Sequence, residues 1–221
     1  MSVDEPKIFQ EIDEIQDDLK LKELIKECVD ASRTAGDEMF KTSFKPNPRA
    51  ADDVSEEALA KILQSGKVIH DIRVDTDISN CLVFHTTNLE TSVVEDDLLQ
   101  LRRCVDQAVE HRVLDLFSSV DSPSMQVSGH FWYPPGGYMG WHTNLRKPGW
   151  RLYVTYAEEP GKSFFRYRDP TSGQIVTSVD RQWDFRLFQI RADAPFWHAV
   201  YSDTHRFSLG YKIELEPAPT P

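Results

Sequence analysis

From Met125 onward, turn signals interrupt the chain at short, regular intervals. They include Pro134-Pro135-Gly136-Gly137, Pro148-Gly149, Glu159-Pro160-Gly161, Asp169-Pro170 and Ser172-Gly173. Between them lie short alternating segments at 125–133, 138–144, 151–156, 163–168, 174–178, 184–190, 196–201 and 206–213. Short strands at this spacing predict a sandwich, jelly roll or barrel.

Upstream the pattern is helical. Ile8, Ile12, Ile15 and Leu19 recur every three or four residues, followed by Leu24, Ile25 and Cys28, and predict an amphipathic helix over 7–32. Gly36 marks the end of that region. Pro46 and Pro48 predict a loop over 40–53. Ser55 is placed to cap a short helix through Gln64, closed by Gly66. Strands are expected at 67–75 and 80–86. Ser92 and Glu95 form a capping box that opens a helix to about Phe117. Helices first and strands second predict an α+β unit with the N-terminal helices packed on one face of the barrel. Residues 1–124 then form a helical layer with a few strands, part of the same unit as the β core at 125–213. The Pro-rich tail, 214–221, is expected to fray.

Composition narrows the function. A hydrophobic content of 40% supports a sizeable core. The net charge of −11 removes any general attraction to phosphate backbones, so nucleic acid is disfavoured as a partner. A local basic cluster at Arg146, Lys147, Arg151, Arg166 and Arg168 reads as a solvated strand face. Cys28, Cys81 and Cys104 are odd in number and widely spaced, which predicts reduced thiols rather than a disulfide framework. No apolar run is long enough for a transmembrane helix, and no basic-then-apolar leader opens the chain. A cytoplasmic protein without membrane contact is the expectation.

The chemistry concentrates in Gly129–Asn144, GHFWYPPGGYMGWHTN, and Trp197–Lys212, WHAVYSDTHRFSLGYK. On a period of two, Tyr138, Gly140, His142 and Asn144 share one strand face. His142 and Asn144 place two donor atoms at chelating distance, and imidazole suits iron, zinc, copper and nickel. His198, on a distant strand, is the candidate for the third ligand. Arg206 and Ser208 share a face by the same period, and a guanidinium fork with a hydroxyl suits a buried carboxylate. Tyr133 adds a phenol. Arg146, Tyr138 and Trp141 are candidates to meet substrate. His85 reads as structural, and His130 and His205 as surface or supporting residues.

Taken together, these residues resemble the iron(II)- and 2-oxoglutarate-dependent oxygenases, whose pattern is H-x-D, a distal histidine and then Arg-x-Ser. The resemblance covers roughly residues 125–213. Tyr133 to Gly137, Y-x-x-G-G, is also similar to prolyl-hydroxylase-like members. The resemblance implies a double-stranded β-helix of the jelly-roll or cupin-like kind. It implies iron(II) as cofactor, 2-oxoglutarate as co-substrate and O2 as oxidant, with succinate and carbon dioxide released. It makes His142, Asn144 and His198 the metal ligands. Arg206, with Ser208 and Tyr133, would hold 2-oxoglutarate. The acidic balance favours hydroxylation of a small metabolite or peptide side chain.

Asn144 stands where that family carries aspartate. Three readings follow: Asn144 ligates through its carbonyl oxygen; the third position is filled by water or an anion; or the barrel is non-catalytic. Two rival functions stand beside the hydroxylase, a cupin-like carboxylate-binding module and a zinc or nickel isomerase or hydrolase.

Overall fold

The computed structural model describes residues 8–69, 79–85, 96–115 and 123–214. Its centre is a pair of antiparallel sheets. Eight strands build them: β4 (Ser124–Tyr133), β5 (Gly137–His142), β6 (Gly149–Ala157), β7 (Ser163–Arg168), β8 (Ile175–Val179), β9 (Trp183–Ile190), β10 (His198–Ser202) and β11 (Arg206–Glu214). Three short strands, β1 (Phe9–Glu11), β2 (Ser79–Asn80) and β3 (Leu82–His85), extend the edges. One sheet has the order β1-β9-β6-β11-β4-β3 and the other β2-β5-β10-β7-β8. Successive strands therefore mostly change sheets, which is the connectivity of a two-sheet jelly roll. Each segment expected as a strand after Met125 is one, because turns built on Pro and Gly are local and set the strand ends.

The sheets face each other across a layer drawn from both: Tyr133, Phe188 and Ile190 from one, Met139, Phe165, Tyr167 and Val200 from the other. The opposite face of the six-stranded sheet, with Trp132, Leu152, Val154, Phe185, Leu187, Phe207 and Leu209, packs against α1 (Leu19–Ser43) and α4 (Asp96–Leu114). Leu21, Ile25, Cys28 and Val29 of α1 and Leu98, Val105, Val109 and Val113 of α4 are buried at helical spacing.

Three expectations need correction. First, α1 runs over Leu19–Ser43 rather than 7–32. The apolar spacing of Ile8, Ile12 and Ile15 mimics a helix, but this segment adds β1 to the free edge of β9. Phe9 pairs with Phe188, and Ile12 N–H donates to the Phe185 carbonyl at 2.8 Å. Asp18 then caps the helix by accepting from Leu21 N–H at 3.0 Å. Gly36 does not end the helix. It lies inside it, where a Cβ would stand 3.2 Å from the Trp132 ring, so a glycine lets the helix approach the sheet.

Second, the 40–53 segment is not all loop, since α1 continues to Ser43 and α2 (Ala50–Asp53) follows. Third, the helices do not sit on one face. Ala50 and Val54, from α2 and its C-cap, and Leu59 of α3 (Glu56–Gln64) cover the outer side of the five-stranded sheet against Tyr138, Trp141, Trp197 and Ala199. Ser55 caps α3 as expected, accepting from Ala58 N–H at 3.1 Å. Residues 67–69 are not in a strand, and 70–75 lie outside the described residues. The Ser92–Glu95 capping box and tail residues 215–221 lie outside them too. Among the described residues no helix is long and apolar enough to cross a membrane.

Candidate metal centre

Strands β5 and β10 are antiparallel neighbours, and their register sets His198 opposite His142. The ring centroids are 3.9 Å apart, and the two residues are 0% and 2% exposed. The ladder pairs Met139 with Val200 and His142 with His198, so Gly140 and Trp141 together oppose Ala199. This is a β-bulge, and it shifts the face on which every later residue of the strand lies.

The bulge corrects the expectation that Tyr138, Gly140, His142 and Asn144 share a face. His142 points between the sheets with Met139, while Tyr138 and Trp141 point outward under α2 and α3. The Tyr138 hydroxyl accepts from Asn47 Nδ2 at 3.0 Å, and Trp141 Nε1 donates to the Ser55 carbonyl at 2.8 Å. The structure therefore does not bring Tyr138 or Trp141 to the histidines. Arg146 is exposed in the turn after β5.

Both imidazoles are held the same way. His142 Nδ1 lies 2.8 Å from the Gly140 carbonyl, and His198 Nδ1 lies 3.0 Å from the Phe196 carbonyl. A carbonyl only accepts, so Nδ1 of each ring carries the proton and Nε2 keeps its lone pair. Backbone support of one ring nitrogen is how proteins orient metal-ligating histidines. Asn144 lies two residues past His142, beyond the end of the strand, in a turn closed by Lys147 N–H donating to its carbonyl at 2.9 Å. Its φ of 53° is left-handed, a conformation that Asn and Asp tolerate better than most residues. Its Nδ2 is 3.3 Å from His198 Nε2. Two imidazoles and one carboxamide thus converge. Among the described residues no three His, Cys, Asp or Glu side chains cluster as a metal site.

The surroundings are apolar on one side. Phe165, Phe188 and Phe196 rings lie 5.6, 5.6 and 5.7 Å from the His198 ring, and Tyr153 lies 6.5 Å away. Burial drives the His198 pKa well below its usual value, and the nearby His142 and Arg151 push the same way. His198 is therefore neutral at neutral pH and available as a ligand.

Farther along the inner face, Arg206 is completely buried, and its guanidinium lies 5.2 Å from the Tyr133 ring. Two of its three nitrogens are engaged within the protein. Nε donates to Asp180 Oδ2 at 2.7 Å and Nη2 to Thr155 Oγ1 at 3.2 Å. Nη1 has no hydrogen-bond partner among the described residues. Asp180 also accepts from Arg186 Nη1 at 2.6 Å and Ser163 Oγ at 2.5 Å. Burial opposes its ionisation, but the Arg206 and Arg186 guanidinium groups outweigh it and hold its pKa below the usual carboxylate value. Ser208 shares the inner face, opposite Thr155 and Phe131. The Tyr133 hydroxyl donates to Met139 Sδ at 3.6 Å.

Sequence reasoning missed Asp180, Arg186 and Thr155, because the contacts that join them to Arg206 span separate strands and no local spacing announces them. Arg151, expected on a solvated strand face, is instead buried, with its guanidinium on the Trp150 and Lys147 carbonyls. His130 belongs elsewhere: it is buried on the helix side of its sheet, 3.0 Å from Asp106. His205 accepts from Trp132 Nε1 at 3.0 Å on that same side.

No family model matches this sequence, and no curated protein matches it either. Among solved structures, a Pseudomonas putida prolyl-4-hydroxylase is similar over 76% of this chain and 84% of its own, with 14% identity and a TM-score of 0.37. The viral collagen prolyl hydroxylase of Paramecium Bursaria Chlorella virus-1, solved as a complex with 2OG, covers 97% of this chain and 99% of its own, with 12% identity and a TM-score of 0.45.

Proposed function

We propose that the chain is an iron(II)- and 2-oxoglutarate-dependent oxygenase that hydroxylates a small metabolite or a peptide side chain. The observation that carries this reading is the His142–His198 pair: two buried imidazoles on adjacent strands, both with Nδ1 bonded to a backbone carbonyl, and with the Asn144 carboxamide 3.3 Å from His198 Nε2. A divalent first-row metal suits that donor set. His142 and His198 would hold it, and Asn144 would ligate through its carboxamide oxygen. Arg206 supports the co-substrate assignment. A fully buried guanidinium nitrogen without an acceptor is costly, and a carboxylate is the group that satisfies it.

When bound, iron(II) and 2-oxoglutarate supply oxidative decarboxylation to succinate and carbon dioxide, coupled to oxygen insertion into a C–H bond. The residues of this chain do the rest. His142 and His198, each fixed by a carbonyl two residues away, would hold the metal on rings that are already oriented. Phe165, Phe188 and Phe196 exclude water beside His198. Asp180 locks the Arg206 fork by holding Nε, which leaves Nη1 for the co-substrate. With neutral Asn144 in place of a carboxylate, the site binds metal less tightly than one with three charged or basic ligands.

The test is oxygen-dependent succinate formation from 2-oxoglutarate. Wild-type protein is expected to form succinate and His198→Ala to form none. Wild-type-like turnover in His198→Ala would overturn the site. Unimpaired metal-dependent activity in Arg206→Gln without 2-oxoglutarate would instead favour a zinc or nickel hydrolase or isomerase.

A further inference from the structure

Arg151 lies near the start of β6, at the end of the barrel that holds the histidines, and is 3% exposed. It shares the inner face with Tyr153 and Thr155. Its register partner on β9 is Phe188, whose ring lies 5.6 Å from that of His198. Nη1 donates to the Trp150 carbonyl at 3.0 Å and Nη2 to the Lys147 carbonyl. The second bond ties Arg151 to the turn that carries Asn144.

Among the described residues, no carboxylate lies within the 4.0 Å ion-pair distance of Arg151. Its β11 neighbour Lys212 is paired with Glu214, and Glu214 acts on Arg151 only from longer range. The other inward-facing guanidinium groups differ, since Arg186 and Arg206 both grip Asp180. Burying a cation without a counter-charge is strongly unfavourable unless a ligand brings the anion. The groups converging at the histidines bring none, because His198 is neutral and Asn144 carries no charge. Exposed Arg146 and Lys147 in the adjoining turn add positive charge to this mouth in a chain whose net charge is −11.

We propose that Arg151 is the recognition residue for an oxyanion, a carboxylate or phosphate, carried by the substrate of this site. This deepens the oxygenase reading and rests on it for the word substrate. Arg206 faces Ala157 at the far end of β6, so the two arginine backbones stand about 20 Å apart along the strands. Their heads are held by different groups, Arg206 by Asp180 and Thr155 and Arg151 by the Lys147 and Trp150 carbonyls. They mark two anion positions: one for the co-substrate and one for the molecule oxidised.

The experiment titrates the full chain, loaded with manganese(II) and kept free of oxygen, with phosphate, acetate, acetamide and 2-oxoglutarate at constant ionic strength. Binding is read from the thermal midpoint. Phosphate or acetate is expected to stabilise the wild type, and acetamide is not. Arg151→Gln is expected to weaken the small anion at least tenfold and 2-oxoglutarate less than threefold; Arg206→Gln reverses the pattern. If Arg151→Gln fails to fold, Arg151→Lys replaces it, with at least threefold weaker phosphate binding expected because the planar fork is gone. Loss of 2-oxoglutarate rather than the small anion in the Arg151 variant would overturn the proposal, placing the co-substrate's own carboxylate there. So would a wild type that binds neither phosphate nor acetate, or equal weakening by both arginine variants. Small-anion binding that depends on Arg151 without any 2-oxoglutarate binding would support Arg151 and sink the oxygenase reading alone.

Discussion

A histidine that gives its Nδ1 proton to a carbonyl two residues away keeps Nε2 for another partner, and His142 and His198 both do so. Burial depresses the His198 pKa, so the sign of its pH effect follows directly. The unfolded chain takes up a proton near pH 6.5, and the folded site does not until much lower pH. Stability therefore falls as pH drops below about 6.5, by up to about 1.4 kcal/mol per unit for this one group. Urea unfolding at pH 7 and pH 5 should show that loss, and His198→Asn should flatten it; an equal slope in both proteins would contradict the burial argument. Asn144→Asp should tighten divalent-metal binding about tenfold or more, about 1.4 kcal/mol. Asp tolerates the same left-handed backbone, so the change isolates the charge. Unchanged metal affinity by calorimetry would mean Asn144 is not a ligand. Asp180→Asn strips a counter-charge from two buried arginines and should cost about 3–5 kcal/mol in urea unfolding. A loss below about 1 kcal/mol would mean the network is not built as the structure has it.

At the scale of the element, β5 carries the lesson. Its two-residue period reads Tyr138 and His142 onto one face, and a single bulge at Gly140 and Trp141 separates them. The strands after Met125 were legible because their ends are set by prolines and glycines within a few residues. The His142–His198 pairing and the inward aim of Arg206 and Ser208 were legible from spacing and type. The bulge, the start of α1 and the Asp180 clasp on Arg206 were not, because each depends on a neighbour far away in sequence. Ile8–Ile15 has helical spacing, yet the open edge of β9 captures it as a strand. Gly36 reads as a helix end, yet it is a contact surface for Trp132. Gly36→Val should cost about 1–3 kcal/mol by overpacking that contact. Chemical denaturation checks it, and a stabilised variant would mean the helix has room to move away.

For the whole molecule, the jelly roll brings the chemistry of Gly129–Asn144 and Trp197–Lys212 to one interior, with helices sealing both outer faces. Because the metal would bridge β5 and β10, its binding should stabilise the entire fold. At a free concentration about a hundredfold above Kd the gain is about 2.7 kcal/mol, visible as a higher thermal midpoint that a chelator reverses. His142→Ala should lack that rise. The most direct test of the central claim is the visible spectrum of metal-free protein given iron(II) and then 2-oxoglutarate without oxygen. A charge-transfer band in the wild type, lost in His198→Ala, is the expected result. No band in the wild type or in Asn144→Asp would contradict the account and leave a carboxylate-binding barrel in its place.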